Sequence, residues 1–289
     1  MAETLQMDDW LTLENEYVEL TLAPQFGARV TSLIDKRTGR DWLVQGDLVG
    51  RQDNEAPFLG PQARGWDECY PTVGRCMSIA WRRTLRDHGD LWGRSWQCAR
   101  TPAGISATYT DDQIRFTRTL ALDGTSIVAS YKATNANETL MPALWSQHCL
   151  LACLPGERLT LEGITDIRAD GQPIDLTNVD GTDFTKVHDL DSRLALKAYG
   201  SLTDQARISI AGDNGGIAFS WNAEDAPYVG FWFDYGGWPE DAPVHQIAIE
   251  PTTSPTDDLA GALAGEHAVW LKPVQSRAWT STITLLAPQ

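Results

Sequence analysis

The sequence predicts an all-β protein whose strands form a large antiparallel β-sandwich in a single domain, residues 1–289. Three observations support this. Segments of alternating apolar and polar residues follow one another along the chain, and the turns between them are too short to hold helices. Hydrophobic residues make up 42% of the 289 residues, which is enough for a sizeable core. Single all-β domains of this length are common, and no internal repeat or linker divides the chain.

The alternating segments run from the N-terminus to the C-terminus. Residues 45–80 interrupt them, because this stretch is rich in Gly, Pro and Asp and lacks periodicity. It predicts a long irregular loop, and such loops are often functional. The predicted strands are 17–22, 28–34, 41–44, 95–99, 104–110, 113–122, 126–135, 144–153, 207–211, 217–221, 228–235, 246–250, 267–271 and 279–286.

Composition limits the classes of ligand. A formal net charge of -16 disfavours binding to nucleic acid or to anionic membranes and favours a neutral small molecule. Twelve Trp residues suit stacking on sugars, although Trp is also ordinary core material. Five Cys residues lack zinc or redox spacing, and neither a secretory signal nor a membrane span is visible. These features predict a soluble, cytoplasmic protein with reduced thiols, present as a monomer or homodimer.

The first candidate site residue is Glu250, at the end of the predicted strand 246–250. Pro251 cannot donate to a sheet ladder and holds Glu250 extended, so we expect the strand to end there. Residues 256–258 then have the composition of a helix cap before a short helix over 259–263. A solvated strand-end acid is the usual explanation for a lone Glu, and the stiff segment 251–256 after Glu250 weakens that explanation here.

Two candidate segments, 66–68 and 87–92, lie outside the predicted strands. Asp67 and Glu68 follow Trp66 inside the long loop, and adjacent acids on a strand point to opposite faces, so at most one is expected to reach a given site. A solvated acidic turn explains them equally well. His88 lies between Asp87 and Gly89, where an acid can hold its ring in one tautomer. Trp92 follows as a possible stacking wall.

Two more candidates lie within apolar strands. His148 is a titratable ring in the strand 144–153, where it is either a proton donor or acceptor or an ordinary core histidine. Trp232 and Asp234 share one face of the strand 228–235 with Gly230. That face suits a sugar cleft, or Trp232 covers a second core.

Taken together, these segments resemble the galactose mutarotase-like superfamily, the aldose 1-epimerases and their relatives. The resemblance covers nearly the whole chain through 22–33, 65–72, 87–89, the His148 strand and 249–253. An Asn-Arg motif that better-known members carry ahead of the first histidine is absent, so the chain resembles a divergent branch. The resemblance implies a supersandwich with a sugar in a cleft on a concave face, and interconversion of the α and β anomers of a free aldose.

The resemblance also implies roles for individual residues. Glu250 is expected to be the base and His148 the acid, with His88 binding the sugar. Expected to line the cleft are Trp66, Asp67, Trp92 and Trp232. Asp234 or Asp183 is expected to stand for a supporting Asp of the family. No cofactor or metal is expected, because no His/Asp cluster has ligand spacing along the sequence.

Three alternatives remain open from the sequence. The fold also serves as a non-catalytic carbohydrate-binding or sugar-sensing module, which would need aromatic residues more than an acid–base pair. Glycoside hydrolysis or lysis would need paired acids, such as Glu250 with Asp67 or Asp234. A basic pocket built from Arg51, Arg64 or Arg75 would admit a sugar carrying an anionic group.

Overall fold

Antiparallel strands form nearly all of the regular structure in the computed structural model, which describes residues 10–48, 50, 58 and 63–288. The all-β prediction is confirmed. In the described part, helical structure consists of α1 (Leu259–Ala264) and 3₁₀ turns at Pro24–Phe26 and Leu190–Ser192. The strands are β1 (Leu11–Glu14), β2 (Val18–Ala23), β3 (Arg29–Asp35), β4 (Arg40–Asp41), β5 (Trp66–Cys69), β6 (Cys76–Ser78), β7 (Arg83–Leu85), β8 (Gln97–Thr101), β9 (Gly104–Thr110), β10 (Ile114–Asp123), β11 (Ser126–Asn135), β12 (Met141–Ala143), β13 (Ser146–Leu151), β14 (Arg158–Ala169), β15 (Gln172–Pro173), β16 (Leu194–Gly212), β17 (Gly215–Asn222), β18 (Tyr228–Tyr235), β19 (His245–Thr252), β20 (Val269–Leu271) and β21 (Ser276–Leu286).

The strand pairings define two layers that share the long strand β16. The first layer runs β1–β2–β3–β5–β13–β19–β18–β16, and the second runs β8–β9–β10–β11–β21–β17–β16. Residues 194–201 of β16 pair with β18, and residues 205–212 pair with β17. Side chains from β10 and β11 hydrogen-bond to β5, so the layers pack face to face. We call the other face of the first layer, turned away from this core, the site face.

Burial along the strands follows from this arrangement. In β11, buried residues alternate with more exposed ones, because only one face of that strand meets the core. All six residues of β13 are buried, since β13 lies between β5 and β19 with side chains covered on both faces. A continuous run of buried residues therefore marks the strand that is central to the site.

Several elements differ from the sequence-based prediction. The long loop contains β5 and β6, and its residues 49, 51–57 and 59–62 lie outside the described residues. Neither β14 nor the first half of β16 was predicted. Strand β19 continues through Pro251, because Thr252 still pairs with Tyr228 and Ser146 on its two sides. The predicted short helix is confirmed as α1, and the Asp258 carboxylate accepts the backbone N–H of Gly261 at 2.7 Å.

No helix among the described residues has the length and apolar character that a membrane span requires.

Candidate functional site

Three neighbouring strands place Asp67, His148 and Glu250 in one row on the site face. His148 of β13 pairs directly with Asp67 of β5. On the other side, the β13–β19 register pairs residue 146 with 252 and residue 150 with 248, which puts His148 opposite Glu250. Opposite residues of an antiparallel pair project from the same face with Cβ atoms about 5 Å apart. Residues distant in sequence thereby form one cluster.

The central member of this row, His148, is oriented by Asp67. Its Nδ1 lies 2.8 Å from the Asp67 Oδ1, while the Arg29 guanidinium donates to the other carboxylate oxygen. Burial alone would raise the pKa of Asp67, but Arg29 and the His148 hydrogen bond outweigh it and lower the pKa to about 2. The carboxylate is thus ionised, and a proton on Nδ1 leaves Nε2 as the nitrogen available for chemistry.

The second histidine, His88, comes from a tight turn between β7 and β8. Its backbone has a φ of 58°, in the left-handed region, and its Nδ1 lies 3.0 Å from the Asp87 carboxylate. The His88 ring stacks on Phe58 and lies edge-on to the His148 ring, with ring centroids 4.8 Å apart in the latter pair. Burial lowers the pKa of His88, against the opposing effect of Asp87. Donor atoms of Cys69, His88 and His148 lie within 4.8 Å of one another.

Trp92 supports this turn from beneath and does not line the cleft. Its side chain is fully buried, its Nε1 donates to the Asp87 carbonyl at 2.8 Å, and its ring packs edge-on against Phe58. The buried Arg86 guanidinium lies over the Trp92 ring and donates to the Gly89 carbonyl at 2.7 Å. The expectation that Trp92 stacks on a sugar is therefore wrong, because both of its faces are covered within the protein.

Glu250 is a buried carboxylate that a lysine keeps ionised. Lys197 Nζ lies 3.0 Å from the Glu250 Oε1, and Ser146 Oγ donates to Oε2 at 3.1 Å. Burial raises the pKa of Glu250, but the Lys197 charge outweighs it and the pKa is lowered. Gly230 stands opposite Glu250 on β18, where a Cβ would lie 3.3 Å from both the Glu250 Oε2 and the Tyr199 ring. The missing side chain lets Lys197 reach across β18.

Sequence reasoning missed Lys197, because the first half of β16 was not predicted as a strand. The signal was present in the alternation of residues 194–200, in which Lys197 and Tyr199 share one face. Both side chains also contact Asp257: Lys197 Nζ at 3.6 Å and the Tyr199 hydroxyl at 2.5 Å. Asp257 was expected to act with Asp258 at the start of the helix, but the structure gives the capping to Asp258 and places Asp257 beside Lys197.

Trp66 does not lie on the site face either. Adjacent side chains of β5 alternate, so Asp67 points to the site while Trp66 and Glu68 point into the core between the layers. Trp66 has no exposed surface, and its Nε1 donates to Glu68 at 2.9 Å. Glu68 also accepts from three core side chains, namely Arg118, Tyr131 and Trp145. Of the two adjacent acids, Asp67 is therefore the one on the site face, and the expectation that Trp66 lines the cleft is wrong.

Strand β18 places the remaining two predicted residues on the site face, at increasing distance from Glu250. Trp232 pairs with Ala248 and Lys197, one row away, and lies edge-to-face with the exposed Trp238. Asp234 lies a further row away, is fully buried, and accepts the backbone N–H groups of Gly237 and Trp238 at 3.1 and 3.2 Å. Among the described residues, its Oδ2 has no hydrogen-bond partner.

The arginines suggested by the sequence do not supply the cation next to Asp67. Arg51 lies outside the described residues, Arg75 is on the surface, and Arg64 is half-buried beside a cavity that Arg29 also lines. Arg29 takes that place, coming from the start of β3. Asp183 is partly exposed and binds Arg158 and Thr185 on another part of the surface, so it is not part of the row.

A two-layer antiparallel sandwich with this row of acids and imidazoles on one face has a galactose mutarotase-like fold. A family model described as aldose 1-epimerase matches residues 9–258, and the chain belongs to that family. No curated protein matches the chain significantly.

Solved structures share this fold at low sequence identity. The Slr1438 protein of Synechocystis sp. PCC 6803 has 18% identity and a TM-score of 0.73, with 99% of each chain covered. A galactose mutarotase related enzyme from Lactobacillus acidophilus has 17% identity and a TM-score of 0.71, covering 97% of this chain and 98% of that one. A galactose mutarotase-like protein from Lactobacillus casei has 15% identity and a TM-score of 0.68, covering 96% and 99%.

Proposed function

We propose that the protein is an aldose 1-epimerase that interconverts the α and β anomers of a free aldose, with Glu250 as the base and His148 as the acid. The observation that carries this proposal is the pairing of a buried, ionised carboxylate with an oriented imidazole on adjacent strands of one face. Membership of the aldose 1-epimerase family supports it.

The reaction needs a proton to leave the C1 hydroxyl while another reaches the ring oxygen. Glu250, kept ionised by Lys197, accepts the hydroxyl proton, and Nε2 of a protonated His148 donates to the ring oxygen. The C1–O5 bond breaks, the open-chain aldehyde rotates about C1–C2, and the steps reverse on the other face of the carbonyl. Each proton returns, so no net proton is consumed.

The charges around the row favour a neutral aldose. Among the described residues, Arg29 and Lys197 are the cations that contact the row, and each is paired with a carboxylate. An anionic substituent would have to compete with Asp67 or Glu250 for them. The partly exposed Trp232 beside the row offers an indole to the apolar face of a sugar.

The test is anomer equilibration, followed by polarimetry or one-dimensional NMR exchange, on freshly dissolved single anomers of glucose, galactose and modified hexoses. We expect Glu250→Gln and His148→Asn each to lower turnover by about 100-fold or more, because proton transfer contributes at least that much. Asp183→Asn, on the solvated surface, is the matched control and should equal the wild type.

The outcomes separate the two functions considered. Wild-type acceleration that survives Glu250→Gln would remove Glu250 from the role of base. If one sugar of the panel binds and none equilibrates faster, the protein is a carbohydrate-binding or sensing module on an epimerase fold.

A further inference from the structure

Three side chains from separate segments bring soft and borderline metal donors together beside the row. Cys69 lies two residues after Asp67 on the same face of β5, and its backbone pairs with Ser146 of β13. His148 comes from β13, and His88 from the turn that follows β7. The Cys69 sulfur and one nitrogen of each ring lie within 4.8 Å of one another.

Each histidine is backed by its own carboxylate. Asp67 lies 2.8 Å from Nδ1 of His148, and Asp87 lies 3.0 Å from Nδ1 of His88. With the Nδ1 protons directed to these carboxylates, the Nε2 lone pairs are the ones left to bind a ligand. Metal-binding histidines are held in the same way, by a carboxylate on the nitrogen that does not bind the metal. Two carboxylate–histidine pairs that meet at one thiol are typical of a metal site and are unusual for packing in a core.

We propose that Cys69, His88 and His148 form a binding site for a zinc-class divalent metal ion. One thiolate and two imidazoles are a donor set that suits Zn²⁺ or Co²⁺ and does not suit Mg²⁺ or Ca²⁺. Donor atoms of a tetrahedral zinc site lie about 3.5 Å apart, given Zn–S and Zn–N bonds of about 2.3 and 2.0 Å. The present donor atoms lie within 4.8 Å of one another, so the cluster has to contract by up to about 1.3 Å to reach this value.

Binding would leave one tetrahedral position for a water molecule, and the Cys69 thiol would release its proton to solvent. The metal would also occupy Nε2 of His148, the nitrogen from which the proposed reaction takes its proton. The metal-bound protein is therefore inactive in mutarotation, so the site is inhibitory. This consequence depends on the proposed function, whereas metal binding itself does not.

The decisive experiment titrates Co²⁺ alone into the full-length, metal-free protein and records its absorption spectrum. We expect a thiolate-to-cobalt charge-transfer band together with the visible bands of tetrahedral cobalt in the wild type. Cys69→Ser should abolish the charge-transfer band, and Cys76→Ser, a half-buried cysteine outside the cluster, should keep it. A band that persists in Cys69→Ser, or the absence of cobalt binding at micromolar concentrations, would overturn the proposal.

A second variant and an activity assay complete the test. Asp87→Asn should weaken cobalt binding by about 10- to 100-fold, as loss of a carboxylate behind a ligating histidine does; unchanged affinity contradicts the assigned geometry. Zn²⁺ at micromolar concentration should stop mutarotation in the wild type and in Cys76→Ser but spare Cys69→Ser, with each protein compared with its own metal-free rate. If no variant mutarotates, the proposed function fails while the cobalt spectra still decide the metal site.

Discussion

The adjacent acids Asp67 and Glu68 give the sharpest test of the site, because one peptide unit separates a residue of the row from a residue of the core. We expect Asp67→Asn to lower kcat/KM for mutarotation by about 100-fold, since the neutral amide no longer stabilises the protonated His148 ring from which the proton is donated. Glu68→Gln should leave kcat/KM of the folded protein within a few-fold of wild type, because Glu68 faces the other layer.

The stability of the two variants can be worked out from their contacts. The Glu68 carboxyl lies 3.0 Å from Arg118, both side chains are 0% exposed, and burial raises the pKa of Glu68 to about 7 against the opposing effect of Arg118. Removing one partner of a buried ion pair costs about 3–5 kcal/mol, so this cost applies in full above pH 7, where the carboxyl is ionised. A domain has about 5–15 kcal/mol in total, so Glu68→Gln should still fold but unfold at lower urea concentration. Asp67→Asn should also be destabilised, because it weakens the pairing with the buried Arg29.

The measurements are polarimetry at a temperature where circular dichroism shows both variants folded, and urea unfolding of each. We expect the free energy of unfolding to fall in both variants and kcat/KM to fall only in Asp67→Asn. An equal loss of activity per folded molecule in Glu68→Gln would refute the assignment of the two acids to opposite faces. Full activity in Asp67→Asn would show that His148 needs no charged partner.

Three further predictions concern the surroundings of the row. In Lys197→Met, the pKa of Glu250 should rise, so the acidic limb of kcat/KM, where the base becomes protonated, should move to higher pH; a pH-rate profile checks this. Trp92→Ala should lower the free energy of unfolding by about 3–5 kcal/mol, as for other buried aromatic residues. Thermal unfolding and sugar titration of this variant check the expectation. If the variant binds sugar more weakly but is not destabilised, Trp92 stacks on the sugar instead. The pKa of Asp67 is lowered from 3.8 to about 2, so its carboxylate should contribute about 2–3 kcal/mol to the free energy of unfolding above pH 4. This contribution should be lost as the pH falls toward 2, and urea unfolding across this pH range would show the loss.

Most strands could be predicted from the sequence, because one face of each strand meets the core and apolar residues therefore recur at every second position. The prediction failed for β5, whose four residues are all buried and too few to show a period, and for β14 and the start of β16, where buried residues are sparse. The same shortness explains the error for Trp66. Without the strand and its pairing to β13, nothing in the sequence says which of residues 66–68 faces the ligand.

His148 and Glu250 could be singled out because each departs from its local pattern: a titratable ring in an apolar strand, and an acid next to a proline. No local sequence pattern distinguishes Arg29, Lys197 or Asp257, since exposed charged residues are common throughout a sequence. Their place in the site depends on which strands are neighbours. Trp92 does stand out in the sequence, but its role could not be predicted. A tryptophan between glycine-containing turns is typical both of a ligand-stacking residue and of a buried residue that supports the turn.

The order of the strands shows why these unremarked cations matter. Across the first layer, Arg29 stands on β3, Asp67 on β5, His148 on β13 and Glu250 on β19. Next comes β18, where Gly230 presents no side chain, and then Lys197 on β16. Two buried carboxylates therefore flank the imidazole, and a cation outside each one keeps it ionised. Because an unpaired buried charge is strongly unfavourable, Asp67 and Glu250 can both remain buried and ionised only while Arg29 and Lys197 pair with them at the two ends of the row.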